Sequence, residues 1–158
     1  KGMVPTRKHD DGQVLTEGPA IVQYIADQKP ETKLVPAAGT MERYRLQEWL
    51  NFISTEIHKG FSPLFNSKVP DEYKQMARDN LAVRFDLLAK HFSDDKKYIM
   101  GDTFTVADAY LYTVLRWTKV VHYDMAKWPA LQAFMDRVAA RPAVQAALQA
   151  EGLVKPAA

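Results

Sequence analysis

The sequence predicts a mostly α-helical protein: a small strand–strand–helix unit over residues 1–27, a connecting segment over 28–39, and about five packed helices over 40–158. Three observations carry this. From Thr40 onward, apolar residues recur at helical spacing almost to the end of the chain. The run TFTVADAYLYTVLRWTKVV is apolar nearly all round, as a helix at the centre of a bundle would be. Between the opening unit and these helices, QKPETKLVPAAG has two prolines, a glycine and little periodicity, the composition of a connector.

The opening unit begins with MVPTRKH, a β-prone run, followed by His9-Asp10-Asp11-Gly12 and a second β-prone run, QVLTE. Asp-Asp-Gly between two such runs predicts a hairpin, because Gly12 takes a positive φ without strain. Pro19 to Asp27 then reads as a helix. Two strands and one helix cannot stand alone in water, so this unit must pack on something else.

Thr40 to about Phe61 reads as one long amphipathic helix. Leu46, Trp49, Leu50, Ile53 and Ile57 form its apolar stripe, and Glu48, Asn51, Thr55 and His58 a polar one, with Lys59 beside it. Gly60 and Pro63 are expected to weaken or end the helix. Asp71 to Phe92 follows, opened by Pro70 and two acids that suit the positive end of a helix dipole. Tyr73, Met76, Leu81, Phe85, Leu88 and Phe92 are placed on its buried side. Thr105 and Asp108, three apart, suggest a capping box for a helix over Val106–Val121, with Phe104 stapled onto Ala109. In that box the Thr105 hydroxyl would accept from the Asp108 N–H. Asp108 is therefore read as structural, its loss expected to cost on the order of 1 kcal/mol or more. A helix from Trp128-Pro129 through Ala140 and a short one over Ala143–Ala150 close the chain.

Composition excludes several function classes. The net charge is +2, with 25% charged residues and both signs interspersed, so nothing directs the chain to nucleic acid or an anionic membrane. There is no cysteine, hence no disulfide, thiolate metal site or cysteine nucleophile within these residues. No apolar run approaches the roughly 18–20 residues of a membrane span, and a cytoplasmic protein is the expectation. His9, His91 and His122 lack metal-site spacing and are placed on the surface; no metal site and no cofactor is expected.

Several stretches, in order, resemble the cytosolic glutathione S-transferases, and most of all their bacterial beta class: KGMVP, DDGQVLTEGPAIVQYIAD, ERY, EWLNFISTEIHKGFSPLF, FTVADAYLYTVLRW and ARPAVQAAL. The resemblance implies that residues 1–27 are the second half of a thioredoxin-like α/β domain and that the helices are the family's all-helical C-terminal domain. It further implies that the first half of that domain, which carries the family's catalytic Cys, Ser or Tyr, is absent from this chain. No catalytic residue is therefore assigned here, and the chain alone is expected to be inactive.

The implied chemistry is attack of the glutathione thiolate on a small hydrophobic electrophile, with glutathione as co-substrate. Three places resemble glutathione contacts. Val4-Pro5 would be the family's cis-proline, exposing backbone groups to the cysteinyl part; read alone, the proline equally suits the edge of a strand. Glu17 and Gly18 would receive the γ-glutamyl ammonium and carboxylate at a helix start, or be an ordinary helix N-terminus with a favourable acid. Asn51, His58 and Lys59 resemble beta-class positions reaching the glutathione site partly across a dimer interface; read alone, they suit a solvated face. Arg116 and Trp117 fall near the family's electrophile pocket, though a Trp on such a helix also suits the core. The resemblance implies a homodimer and a detoxifying role. The alternative function is a non-catalytic glutathione-binding or dimerisation module of the same fold.

Overall fold

In a computed structural model, residues 5–93 and 95–154 are described. Strands β1 (Thr6–Lys8) and β2 (Val14–Thr16) pair antiparallel, with Thr6 opposite Thr16 and Lys8 opposite Val14. Their turn closes as the sequence predicts: Gly12 has φ 84° and donates its N–H to the His9 carbonyl at 3.0 Å. The Asp11 carboxylate accepts from the Gln13 N–H at 3.0 Å and holds the turn from outside. Helix α1 (Gly18–Asp27) follows, packs on the helices downstream, and so acquires the cover that a lone hairpin and helix lack.

The connector contains one 3₁₀ turn, Pro30–Thr32, and is anchored at both ends. The Val106 N–H donates to the Leu34 carbonyl at 3.0 Å, beside buried Val35. Arg43, buried on helix α2 (Met41–Phe52), donates to both Asp27 carboxylate oxygens, to Gln23 Oε1 at 3.1 Å and to the Pro36 carbonyl at 2.8 Å. One guanidinium thus ties the last turn of α1 and the connector to the bundle, using its planar fork of donors.

Helix α2 does not stop at the end of its α-helical hydrogen bonding. It continues through a π-helical segment, Ile53–His58, into α3 (Lys59–Phe65), past the Gly60 and Pro63 expected to end it. Gly60 has another use: a Cβ there would lie 3.0 Å from Leu81 Cδ2 on helix α4 (Asp71–Ser93), so its bareness allows close packing of the two helices. Pro63 is likewise accommodated inside α3, two residues before its end. Leu46, Leu50, Ile53, Ile57 and Phe61 are sealed inside, each side chain of that size contributing about 1.5–3 kcal/mol by burial.

On α4 the buried stripe is Ala77, Leu81, Phe85, Leu88 and Phe92. Tyr73 and Met76, expected there, are more than half exposed and belong to the neighbouring stripe with Val83 and Leu87. Helix α4 carries two apolar stripes at helical spacing, and its sequence alone does not say which one meets the bundle. Helix α5 (Val106–Leu115) runs through the centre, with Leu111 and Leu115 fully buried, and is followed after Arg116 by the short α6 (Trp117–Val120), so the expected single helix is divided. Helices α7 (Pro129–Ala139) and α8 (Pro142–Ala150) complete the bundle, with Phe134 stacked on Phe92 at 4.6 Å between ring centres.

The capping box at α5 is formed, with more partners than expected. Asp108 Oδ2 accepts from the Thr105 N–H at 2.8 Å and from the Thr105 hydroxyl at 3.0 Å, so that hydroxyl is a donor to the carboxylate. Oδ1 accepts from the Ile99 N–H at 2.7 Å and pins the loop before the helix. Phe104 meets the Tyr98 ring and lies 3.9 Å beneath the Arg141 guanidinium. His91, placed on the surface from sequence, is half-buried: its ring lies 4.6 Å from Trp49, and Nε2 bonds the Ile99 carbonyl at 2.9 Å. His122 is exposed, while His9 packs edge-on against Tyr24.

Candidate functional site

Where β2 passes into α1, the chain does something costly. Glu17, the residue before the helix, has φ 75° and ψ 116°, a region L-residues rarely enter, at a cost of about 1–3 kcal/mol. Its carbonyl is well used, accepting from the Ala20 and Ile21 N–H groups at 3.0 Å each. Its carboxylate is exposed and has no hydrogen-bond or ion-pair partner among the described residues. Strain held on a free acid at a helix start marks a place shaped for something other than stability.

That place is one wall of a cleft of about 560 Å³ whose lining includes Pro5, Glu17, Gly18, His58, Tyr110 and Trp117. A Cβ on Gly18 would lie 3.8 Å from Pro5 Cγ and 3.9 Å from the Tyr110 hydroxyl, so the opening unit and helix α5 meet there. From the other side, α2 and its π-helical continuation present Ser54 and His58. His58 Nδ1 lies 2.7 Å from the Tyr110 hydroxyl, and its ring stands edge-on to Trp117 at 4.7 Å. A smaller hollow of about 360 Å³, holding Asn51, Gln47 and Gln23, adjoins the cleft through Glu17 and Ser54.

The charges are divided. Glu17 is the acid on one wall, and Lys59 the cation on the other. Burial lowers the pKa of His58, with the Lys59 charge adding to it, which favours the neutral imidazole. Burial pushes the Tyr110 hydroxyl up; the nearby Ser54 side chain opposes this and the Glu17 charge adds to it, so the phenol keeps its proton. An acid and a cation on opposing walls, with neutral donors and acceptors between them, suit a ligand that itself carries both signs.

Of the residues expected at the site, Pro5, Glu17, Gly18, His58, Lys59 and Trp117 come together in the cleft, and Asn51 in the adjoining hollow. Val4 lies outside the described residues. Arg116 is not in the cleft lining; its guanidinium rests 6.0 Å from the Tyr112 ring. Thr105 and Asp108 are given over to the helix cap. Among the described residues no group of three His, Cys, Asp or Glu could hold a metal ion, and no helix is long and apolar enough to cross a membrane.

Two residues were missed. Ser54 was legible: Gln47, Asn51, Ser54, His58 and Ser62 recur at spacings of four, three, four and four, a single helical face. Thr55, on the expected polar stripe with Asn51 and His58, faces a groove against α4 with Glu56 and Arg84. Tyr110 had no sequence signal, being one aromatic among many on an apolar helix.

Residues 52–142 match the glutathione S-transferase C-terminal domain. The chain belongs to the glutathione S-transferase family. Glutathione S-transferase GstA of Escherichia coli O157:H7 is 47% identical over 153 residues, covering 97% of this chain and 76% of that protein. Among solved structures, a ternary complex of BphK, a bacterial GST, superposes with a TM-score of 0.93 at 54% identity, over 96% of this chain and 76% of that one. A sphingomonad glutathione S-transferase complexed with glutathione gives 0.91 at 46%, over 97% and 76%. A beta-class enzyme from Sphingomonas chungbukensis gives 0.92 at 47%, over the same shares. The chain thus spans about three quarters of the length of these glutathione transferases, and its mostly helical bundle with a two-stranded sheet before it is their fold.

Proposed function

We propose that the cleft binds glutathione and that the protein is a glutathione transferase, joining the glutathione sulfur to a small hydrophobic electrophile. The observation that carries this is the convergence of Pro5, Glu17 and Gly18 from the opening unit with His58 and Lys59 from the bundle on one cleft of divided charge. Glutathione is a zwitterionic tripeptide, with an ammonium and a carboxylate at its γ-glutamyl end. Glu17 takes the ammonium, and the N–H groups at the start of α1 take the carboxylate beside it. Lys59 faces the anionic remainder, and Asn51 reaches the same ligand from the adjoining hollow. Trp117, Val22 and Val114 supply an apolar wall for the electrophile. The relative with glutathione bound supports the same ligand here.

A calorimetric titration of the chain with glutathione, beside a conjugation assay with a dinitrophenyl halide, tests the reading. Binding is the expected result for the chain, to which no catalytic residue is assigned, and conjugation is the expected result for the full-length protein. Binding without conjugation by the full-length protein leaves the non-catalytic module, and no binding removes both.

The exposed second stripe of α4 supports a homodimer. Tyr73, Met76, Val83 and Leu87 are each half-exposed or more and, with Asn80 between them, recur at three-four spacing like the seam between paired helices. Light scattering should give twice 17.9 kDa, and Leu87→Glu should halve it. A monomeric wild type would remove this part.

A further inference from the structure

The least explained contact in the cleft is the short one between Tyr110 and His58. Two protons can be arranged across 2.7 Å: the phenol donates to Nδ1, or Nδ1–H donates to the phenol oxygen. The chemistry of the two groups decides. A phenol is a far better proton donor than a neutral imidazole N–H, and an imidazole nitrogen a far better acceptor than a phenol oxygen, so the phenol gives its proton away. His58 is the acceptor placed to take it. Among the described residues no buried side-chain nitrogen is without a partner and His58 makes no second bond; its Nε2 therefore opens into the cleft instead of being sealed against protein. Edge-on contacts with Tyr110 at 5.8 Å and Trp117 at 4.7 Å hold the ring plane between them.

We infer that Tyr110 is a positioning residue: it holds the His58 imidazole with its proton on Nε2, so that His58 offers the cleft a hydrogen-bond donor for an anionic sulfur rather than a base for the thiol proton. A neutral imidazole has one donor and one acceptor, and the bond to one nitrogen sets the role of the other. With Nδ1 occupied by the phenol's proton, Nε2 must carry its own, and a nitrogen that already bears a proton cannot take another from a thiol. What the ring can do is stabilise the thiolate once formed. That the anionic atom is a glutathione sulfur rests on the function proposed above; the tautomer does not.

The two parts are tested separately. Nitrogen-15 spectra of the ligand-free chain, with only four histidines to assign, report which ring nitrogen is protonated. The expected result is a protonated Nε2 in the wild type and a mixed tautomer in Tyr110→Phe. A protonated Nδ1, or a tautomer that ignores the substitution, overturns the inference whether or not glutathione binds. Affinities for glutathione sulfonate, which carries a negative charge at the sulfur, and for S-methylglutathione, which does not, supply the second arm. A hydrogen bond to a charged group is worth about tenfold or more in affinity. Tyr110→Phe should lose about that much for the sulfonate and about twofold or less for the methyl compound. Equal losses for both would reduce Tyr110 to a structural support and overturn the inference. If Tyr110→Phe folds poorly, His58→Gln and His58→Asn answer instead: the glutamine amide nitrogen overlays Nε2 and the asparagine one overlays Nδ1. Glutamine should retain the sulfonate and asparagine should not, and the reverse order overturns the assignment. If the wild type binds neither compound, the glutathione reading fails and the spectra alone decide the tautomer.

Discussion

Two acids stand at the starts of two helices and are treated in opposite ways. Asp108, at the third position of α5, is fully buried, and its carboxylate accepts three hydrogen bonds of 2.7–3.0 Å. Glu17, just before α1, is exposed, has an unpartnered carboxylate, and sits in backbone conformation that costs free energy. Both places present free N–H groups and a positive helix end, so the helix alone does not determine what an acid there is for. The surroundings do. Where every acceptor is used inside the fold, the acid belongs to stability; where strain is held on a free carboxylate at the edge of a cleft, the proposed role is to meet a ligand.

The comparison breaks most visibly at Asp108. Asp108→Ala leaves the Ile99 N–H and the Thr105 donors buried without a partner, each lost partner costing about 1–3 kcal/mol. A loss of about 2–4 kcal/mol in the urea unfolding free energy is expected, larger than a cap alone would give, with glutathione affinity at temperatures where the fold persists unchanged. A midpoint equal to wild type would show that the carboxylate does not carry the cap.

Glu17 should behave in reverse. Glu17→Gln is expected to lower glutathione affinity about tenfold, since a charged partner for the ammonium is removed, while stability stays within about 0.5 kcal/mol. Glu17→Gly should hold stability or raise it by up to about 1 kcal/mol, because glycine enters positive φ without a Cβ penalty. A Glu17→Gly variant that unfolds readily would place Glu17 with the structural acids.

A pH series sharpens the contrast at Asp108. Burial raises its carboxyl above the ordinary value of 3.8, against the pull of the Ile99 and Thr105 donors. The folded state therefore binds that proton more tightly than the unfolded chain does. The stability it adds is fully present below 3.8 and is lost as pH rises through the raised folded value. Asp27 has the opposite sign: the hydrogen bond from Arg43 lowers its pKa, so its contribution is present above 3.8 and lost as pH falls through the lowered value. Unfolding free energies should show the cost of Asp108→Asn shrinking as pH rises above 3.8, and that of Asp27→Asn growing as pH rises toward 3.8 and levelling off above it. Parallel curves for variant and wild type would remove the assignment.

Much of this was legible in the residues, for reasons that differ by region. The hairpin at Gly12, the cap at Thr105 and Asp108, and the stripe from Leu46 to Ile57 follow from local rules of φ, spacing and donors, which the chain states within a few residues. The choice between the two stripes of α4 and the partners of His91 depend on what packs against them, and no local rule carries that. The same holds for Tyr110, whose role exists only because the Gly18 turn and the π-helical segment reach it from two sides. Gly60 was misread because a glycine that ends a helix and one that lets a neighbouring helix approach look alike until Leu81 is in view.

The smallest effect tests how finely the polar face of α2 was read. Ser54 and Thr55 are neighbours of like chemistry, yet Ser54 lines the cleft while Thr55 turns toward α4 and returns its hydroxyl to the Asn51 carbonyl at 3.0 Å. Ser54→Ala removes a hydroxyl from the cleft wall and should weaken glutathione binding by about threefold to tenfold, the worth of one neutral hydrogen bond. Thr55→Ala removes only a bond within its own helix and should leave affinity within about twofold, since such back-bonding adds little to a helix. If the two variants weaken binding equally, the cleft is not bounded by the face Gln47, Asn51, Ser54, His58. The π-helical segment would then present its side chains to the ligand one position further along the chain.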